Sequence, residues 1–440
     1  MDAQTSFPSW GRYPPATPAR VLPVRFRDQA VPRVAGSVLP YGNGRSYGDS
    51  CLNNGGTLLA TRGLDRFLAF DPSTGLIRCE AGVLLSEILS LTVGYGWFLP
   101  VTPGTRLITV GGAIANDVHG KNHHLAGTFG HQVTCLELVR GSGERMRCSA
   151  TERADLFAAT IGGLGLTGLI TWAEFRLKRI ANPYVQVERT RFDRLDDFFD
   201  LALGAERERE YTVAWIDCLA TGRHLGRGIY MAGTHAAPTC EGAPGAPGRT
   251  LSVPFDPPVS LIAGPTLKTF NELFYRKQFR RVQTGLEHYA PFFYPLDGID
   301  QWNRIYGPKG FLQYQSVVPM ALGRDVTREM LQCIARSGQG SFLSVLKVFG
   351  DRPPAGLLSF PRPGVTLALD FPFKGPSTLR LFETLDALVT QAGGAIYPAK
   401  DARMSPALFA SGYPRLDEFR RHLDPAFSSS FWRRVTGDAP

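Results

Sequence analysis

The residues of this chain that could do chemistry fall into two kinds of cluster. One is a set of small-residue loops able to bring backbone N–H groups to an anion. The other is a histidine- and lysine-rich stretch. The first loop is Pro40-Tyr41-Gly42-Asn43-Gly44-Arg45-Ser46-Tyr47-Gly48-Asp49-Ser50. Three glycines close together let successive amides converge on negative charge, and Arg45 and Ser46 add side-chain donors. The second holds Gly104 and then Thr109-Val110-Gly111-Gly112-Ala113-Ile114-Ala115, small enough for a helix N-terminus to approach a phosphate. The third is Gly162-Gly163-Leu164-Gly165-Leu166-Thr167-Gly168. It contains a literal GxGxxG, but a helical pattern precedes it and a strand pattern follows. A Rossmann site needs the opposite order, so a nicotinamide site is excluded. Three such loops over about 130 residues suit a long, folded ligand such as FAD better than a mononucleotide.

The basic stretch is His119-Gly120-Lys121-Asn122-His123-His124, with His131 soon after. Half of the chain's eight histidines lie here, so a metal site is the obvious rival. HExxH is absent, Gly120 weakens helical pairing, and no carboxylate or cysteine sits at ligand spacing, so no metal is expected. The stretch reads as a cationic wall in which His119 and Lys121 stabilise negative charge on a reduced flavin or a substrate phosphate.

These groups must be positioned by short strands and helices. Val38–Tyr41 reads as a strand feeding the first loop, and 67–70 with 76–79 as a hairpin around Asp71-Pro72-Ser73-Thr74-Gly75. Helical spacing runs over 84–93, strands over 133–139 and 146–148, a helix from a capping Asp155 to Thr160, and a strand over 169–177. Strands are expected at 311–319, 341–349 and 365–371, and helices at 326–336 and 378–391, the latter capped by Ser377. Residues 235–258, rich in proline and glycine, read as a surface loop or a lid over a cleft.

The chain's 440 residues exceed one ordinary domain, and 20% charged with 43% apolar residues is a globular composition. A net charge of +9 without basic stripes favours anionic small molecules or anionic lipid over nucleic acid. Seven scattered cysteines with no CxxC give no disulfide framework. No secretory leader or transmembrane run is read, so a cytoplasmic protein, with peripheral membrane attachment, is expected.

The segments GNGRSYGDS, PGTRLITVGGAIANDVHGKNHH, AGTFG and GGLGLTG together resemble the vanillyl-alcohol-oxidase-type FAD family. The likeness continues through WNRIYGPKGFLQYQ, SFLSVLKVFG, LDFPFK and YPAKDAR. It implies a two-domain α+β fold of the PCMH type, with an antiparallel-sheet substrate domain at 183–393 between FAD-binding parts at 1–182 and 394–440. It implies oxidation of a sugar alcohol, as in members that act on a polyprenyl-phosphate ribose on the way to cell-envelope arabinose and pass a keto product to a short-chain reductase. A free polyol or aldonolactone is the alternative substrate. By motif match the cofactor is held by residues 40–50, Gly104, Thr109 to Gly112, His119 to Asn122, Ile170 and Tyr397. A histidine that bonds the flavin covalently in some relatives is absent from Gly44-Arg45-Ser46-Tyr47, so FAD is expected to be non-covalent. Around the ring and substrate the match gives Lys121, Gln313, Gln315, Lys347, Phe349, Thr366, Ala368 and Lys400. Lys400, His119 and Tyr47 are the candidates for proton transfer. The chain departs from the family at four places. A cysteine is replaced by Ala368, an asparagine by Thr366, a serine by Val213 and a tyrosine by Phe293, giving a smaller and less polar site.

Overall fold

The computed structural model describes residues 7–205, 208–239 and 251–438. Its architecture is mixed helix and sheet, built mainly on two antiparallel sheets. Strands Arg20–Pro23, Thr57–Ala60 and Val38–Tyr41 form a small parallel sheet that ends at the first glycine loop. Phe67–Asp71, Leu76–Glu80, Leu169–Arg176, Val133–Val139 and Arg145–Ser149 follow one another across a five-stranded antiparallel sheet. The largest sheet has eight strands, in the order Val282–His288, Tyr184–Phe192, Gly228–His235, Tyr211–Ile216, Ser344–Phe349, Gly364–Pro372, Phe311–Val318 and Ala395–Ile396.

The period-2 alternation of these strands separates a core face from a polar one. Leu346, Leu367, Leu369 and Tyr314 point into the main hydrophobic core, under helices Met320–Ser337 and Pro376–Gln391. Lys347, Thr366, Ala368, Gln313 and Gln315, one residue out of step, face a cavity on the other side. The register fixes their neighbours: Gln315 lies opposite Ala368, and Thr366 lies opposite Lys347. A one-residue slip would bury these polar groups among the leucines, so the core pattern itself places the cavity residues.

The C-terminal stretch ties the sheets together. Ile396 pairs with Ser316, while Val38 exchanges hydrogen bonds with Ala426 and Ser428. Arg434, on helix Ser430–Thr436, bridges buried Asp49 and Asp401 at 2.8 Å each.

Several boundaries differ from expectation. The helix expected at 326–336 starts at Met320, after Pro319, and the strand expected at 341–349 begins at Ser344. The helix at 376–391 is capped by Gly375 with Pro376 in its first turn, and the Ser377 hydroxyl donates backwards to the Lys374 carbonyl. Asp155 lies inside the first turn of Ala154–Thr160, where it favours the helix dipole, while Arg153 occupies the cap. The four strands that 184–288 contributes to the large sheet have no counterpart in the sequence reading. Of the proline-rich stretch 235–258, residues 240–250 lie outside the described residues. The described cysteines are all free thiols. Among the described residues, no helix is long and apolar enough to cross a membrane, and no cluster of His, Cys, Asp or Glu could hold a metal.

Candidate active site

One cavity of about 1180 Å³ runs from the first glycine loop to the polar face of the eight-stranded sheet. All three glycine loops reach it: Gly42 to Tyr47, then Gly104 with Thr109, Gly111 and Gly112, then Leu164, Gly165 and Gly168. The loops differ in what they offer. The N–H groups of Asn43, Gly44, Arg45 and Ser46 have no acceptor among the described residues. They form an anion cradle, with Gly44 in the left-handed region at φ +60°. Arg45 lies over the Trp10 ring at 4.0 Å, and its buried Nε also lacks a partner. In the second loop the amides are already used. Val110 donates to Val83, Gly111 to Ala81, and Gly112 to the Thr109 hydroxyl at 3.1 Å. The expected helix-terminus phosphate site is therefore a smooth wall, because Val83 and Ala81 take two of its donors and the capping Thr109 takes the third. Open N–H groups, a glycine wall and a long cavity fit a dinucleotide whose pyrophosphate sits on the first loop.

At the other end His119 is fixed from both sides. Lys347 Nζ lies 3.2 Å from its Nδ1, and the Gln315 side-chain amide lies 3.0 Å from its Nε2. A neutral imidazole has one donor and one acceptor. Gln315 presents its amide nitrogen, which donates to His119 Nε2, while the Lys347 amine faces Nδ1. Burial first, then the Lys347 charge, holds the His119 pKa well below its ordinary value, so the ring is neutral. His123, buried against Phe349, is likewise pushed down to about 3.

Lys400 is different. Its Nζ sits 3.7 Å from the centre of the Tyr47 ring and makes no hydrogen bond to a described residue. Burial lowers its pKa, opposed by the charge of Asp370. Burial also lowers Lys121 and Lys347 to about 7. Lys121 donates to the Phe292 carbonyl and lies 4.3 Å over the Phe292 ring. Tyr47 is held as a neutral phenol by burial and by Asp370. Gln313 donates to Asp370, leaving its own carbonyl without a partner at the cavity wall.

Most of the expected site residues line this one cavity, Pro40, Ser50, Gly120, Ile170 and Tyr397 among them. Six do not. The Tyr41 hydroxyl turns away to Pro8. Gly48 is packed on the Asp401 carbonyl, and Asp49 pairs with Arg434. Val110 is core, Asn122 donates to the Pro100 carbonyl, and Phe349 packs edge-on against His119. These six brace the wall from behind. Sequence reasoning missed Trp10, Arg106 and Asp297, which line the cavity from distant segments. The Asp297 carboxylate accepts from the Arg106 N–H at 2.9 Å, a contact across 191 positions with no local signature.

Residues 30–149 match the model of an FAD binding domain. The chain is 37% identical to decaprenylphosphoryl-β-D-ribose oxidase of Mycolicibacterium smegmatis, over 97% of this chain and 96% of that one. The chain belongs to the PCMH-type family of FAD-binding oxidoreductases. It is an FAD-dependent oxidoreductase of this family. An uncharacterised protein of Streptomyces coelicolor is 33% identical over 80% of the chain and its own full length. Human Δ24-sterol reductase is 34% identical over only 25% of the chain and 21% of its own length, so the likeness there is local.

Proposed function

We propose that this oxidoreductase oxidises the C2 hydroxyl of a polyprenyl-phosphate pentose to a ketone, for onward reduction by a partner short-chain reductase. The bound flavin supplies the acceptor for the hydride leaving C2. The hydroxyl proton goes to Lys400, and the C–O bond becomes a carbonyl. The observation that carries the reading is the state of Lys400: a half-buried amine at the cavity wall, without a hydrogen-bond acceptor among the described residues. Of the other two candidates, His119 has both nitrogens engaged and Tyr47 is a phenol held neutral. Lys121 and Lys347 give an anionic head group its counter-charge. The relative named for a decaprenylphosphoryl ribose supports the substrate class.

In this reading FAD is non-covalent, since residues 42–47 contain no histidine or cysteine. The cofactor part comprises residues 1–182 and 394–440, and the substrate part comprises 183–393. Contact with a membrane follows from a lipid-linked substrate. The test is anaerobic bleaching of the yellow protein by a short-chain prenyl-phosphate ribose, compared with free pentoses, polyols and aldonolactones. Bleaching only by the phosphorylated compound is expected. Lys400→Met should keep FAD and slow bleaching by roughly 10²- to 10³-fold. Full-rate bleaching in that variant refutes the role of Lys400.

A further inference from the structure

Exposed large apolar side chains are concentrated in one stretch of the chain. Fifteen are exposed among the described residues, and eight lie between 251 and 282. They are Leu251, Phe255, Val259, Leu261, Phe270, Leu273, Phe279 and Val282, with Phe279 84% and Leu273 65% exposed. Helix Gly264–Arg276 explains how they connect to the site. It buries Leu267, Asn271 and Tyr275 on one side. Phe270 and Phe274, on its flank, line the cavity. Phe274 lies 4.6 Å from Trp215, a cavity residue on the large sheet, and stacks on Phe270 at 5.8 Å. Phe270 is itself exposed, Leu273 lies one helical turn on from it, and Phe279 follows just after the helix ends. A continuous apolar track thus leads from the sheet to the surface.

The unpaired charges of this segment are of one sign, since its two acidic residues, Asp256 and Glu272, are both paired with arginines. Lys268, Lys277, Arg280 and Arg281 are exposed and have no acidic partner within 4.0 Å among the described residues, whereas Arg276 is paired with Glu272. Exposed apolar groups fringed by unpaired cations match an anionic bilayer, whose head groups meet the basic residues while its acyl region takes the apolar ones. An acidic protein surface would satisfy the cations but not side chains as exposed as Phe279.

We infer that residues 251–282 form the docking surface by which this protein sits on an anionic lipid bilayer, with the cavity mouth facing the membrane. A prenyl chain then passes along Phe270 and Phe274 while its phosphate and sugar reach the lysines. This inference rests on the lipid-linked substrate proposed above, and the test separates the two. Yellow holoprotein is floated with vesicles of phosphatidylcholine alone or mixed with phosphatidylglycerol. Two double variants are compared, Leu273→Ser/Phe279→Ser and Arg280→Gln/Arg281→Gln, neither touching the cavity. Binding to the anionic vesicles is expected, with at least about a tenfold loss in each variant. Melting temperature and bleaching by a short-chain, water-soluble substrate should stay unchanged. Absence of flotation, or equal flotation of the variants, overturns the docking surface. Flotation without bleaching overturns the substrate reading and leaves the surface standing.

Discussion

Lys121 and Lys347 make anion binding depend on pH in a direction that can be worked out. Burial lowers both to about 7, from 10.5 in water. Above that pH each amine is neutral in the free protein. A phosphodiester keeps one negative charge throughout, so its arrival favours the ammonium and raises the lysine pKa again. Binding at about pH 8.5 must therefore take up protons, and affinity must fall as pH rises through the free-state pKa. Each pH unit costs about 1.4 kcal/mol, or tenfold, per lysine recharged. From about pH 7, where the amine is half charged, to about pH 9, where about one in a hundred is charged, one lysine predicts a loss of roughly 50-fold, and two would steepen it further. Calorimetric titration with a short-chain prenyl-phosphate pentose, in two buffers of different ionisation enthalpy, counts the protons directly. Lys121→Met should lower the count by one lysine's share and weaken binding at neutral pH. A dissociation constant that is flat across this range, with no proton uptake, would show that neither lysine meets the anion.

Two further outcomes are expected. Arg434→Ala removes the partner of buried Asp49 and Asp401 and should cost about 3 kcal/mol, since burial already pushes the Asp49 pKa upward against the arginine; denaturant unfolding giving under about 1 kcal/mol would contradict this. At Gly104 an added Cβ meets nothing within 4 Å, so Gly104→Ala should leave the apoprotein as stable as before yet weaken FAD at least about tenfold, because the open space is where the cofactor approaches. Unchanged FAD affinity by fluorescence titration would place the cofactor elsewhere.

The glycine loops and basic stretch were legible because their chemistry is local: Gly42 to Ser46 and His119 to Lys121 meet in one cavity as their composition suggests. The strands at 38–41, 67–71 and 76–80 were legible too, because turn residues punctuate them. What remained hidden depends on partners far away in the chain. Thr109 to Gly112 looks like a phosphate turn, and only the fold brings Ala81 and Val83 to use up its amides. The strand Tyr211–Ile216 is buried at every position, so no alternation marks it. Tyr184–Phe192 carries Gln186, Glu188, Arg189 and Arg191 in a pattern that suggests a solvated segment. Its place in the sheet comes from pairing on both sides, with Gly228–His235 and Val282–His288.

The four departures from the family pattern acquire a common meaning once placed. Val213, Phe293, Thr366 and Ala368 all line the cavity, around the lysines. Thr366 keeps a polar contact, its hydroxyl 3.3 Å from the Gln315 amide, so the Gln315–His119 pair stays anchored. The other three offer no hydrogen bond from their side chains. Phe293 packs on Tyr211 at 4.7 Å and lies 5.8 Å beneath Lys121. Hydrogen bonding to individual hydroxyls gives sharp discrimination between sugars, because a missing partner leaves a buried polar group unpaired. An apolar wall rejects a wrong hydroxyl far less strongly. With three of these positions apolar, recognition shifts towards the charges of Lys121 and Lys347. For the substrate proposed above, this arrangement predicts a stricter demand for the anion than for the identity of the pentose.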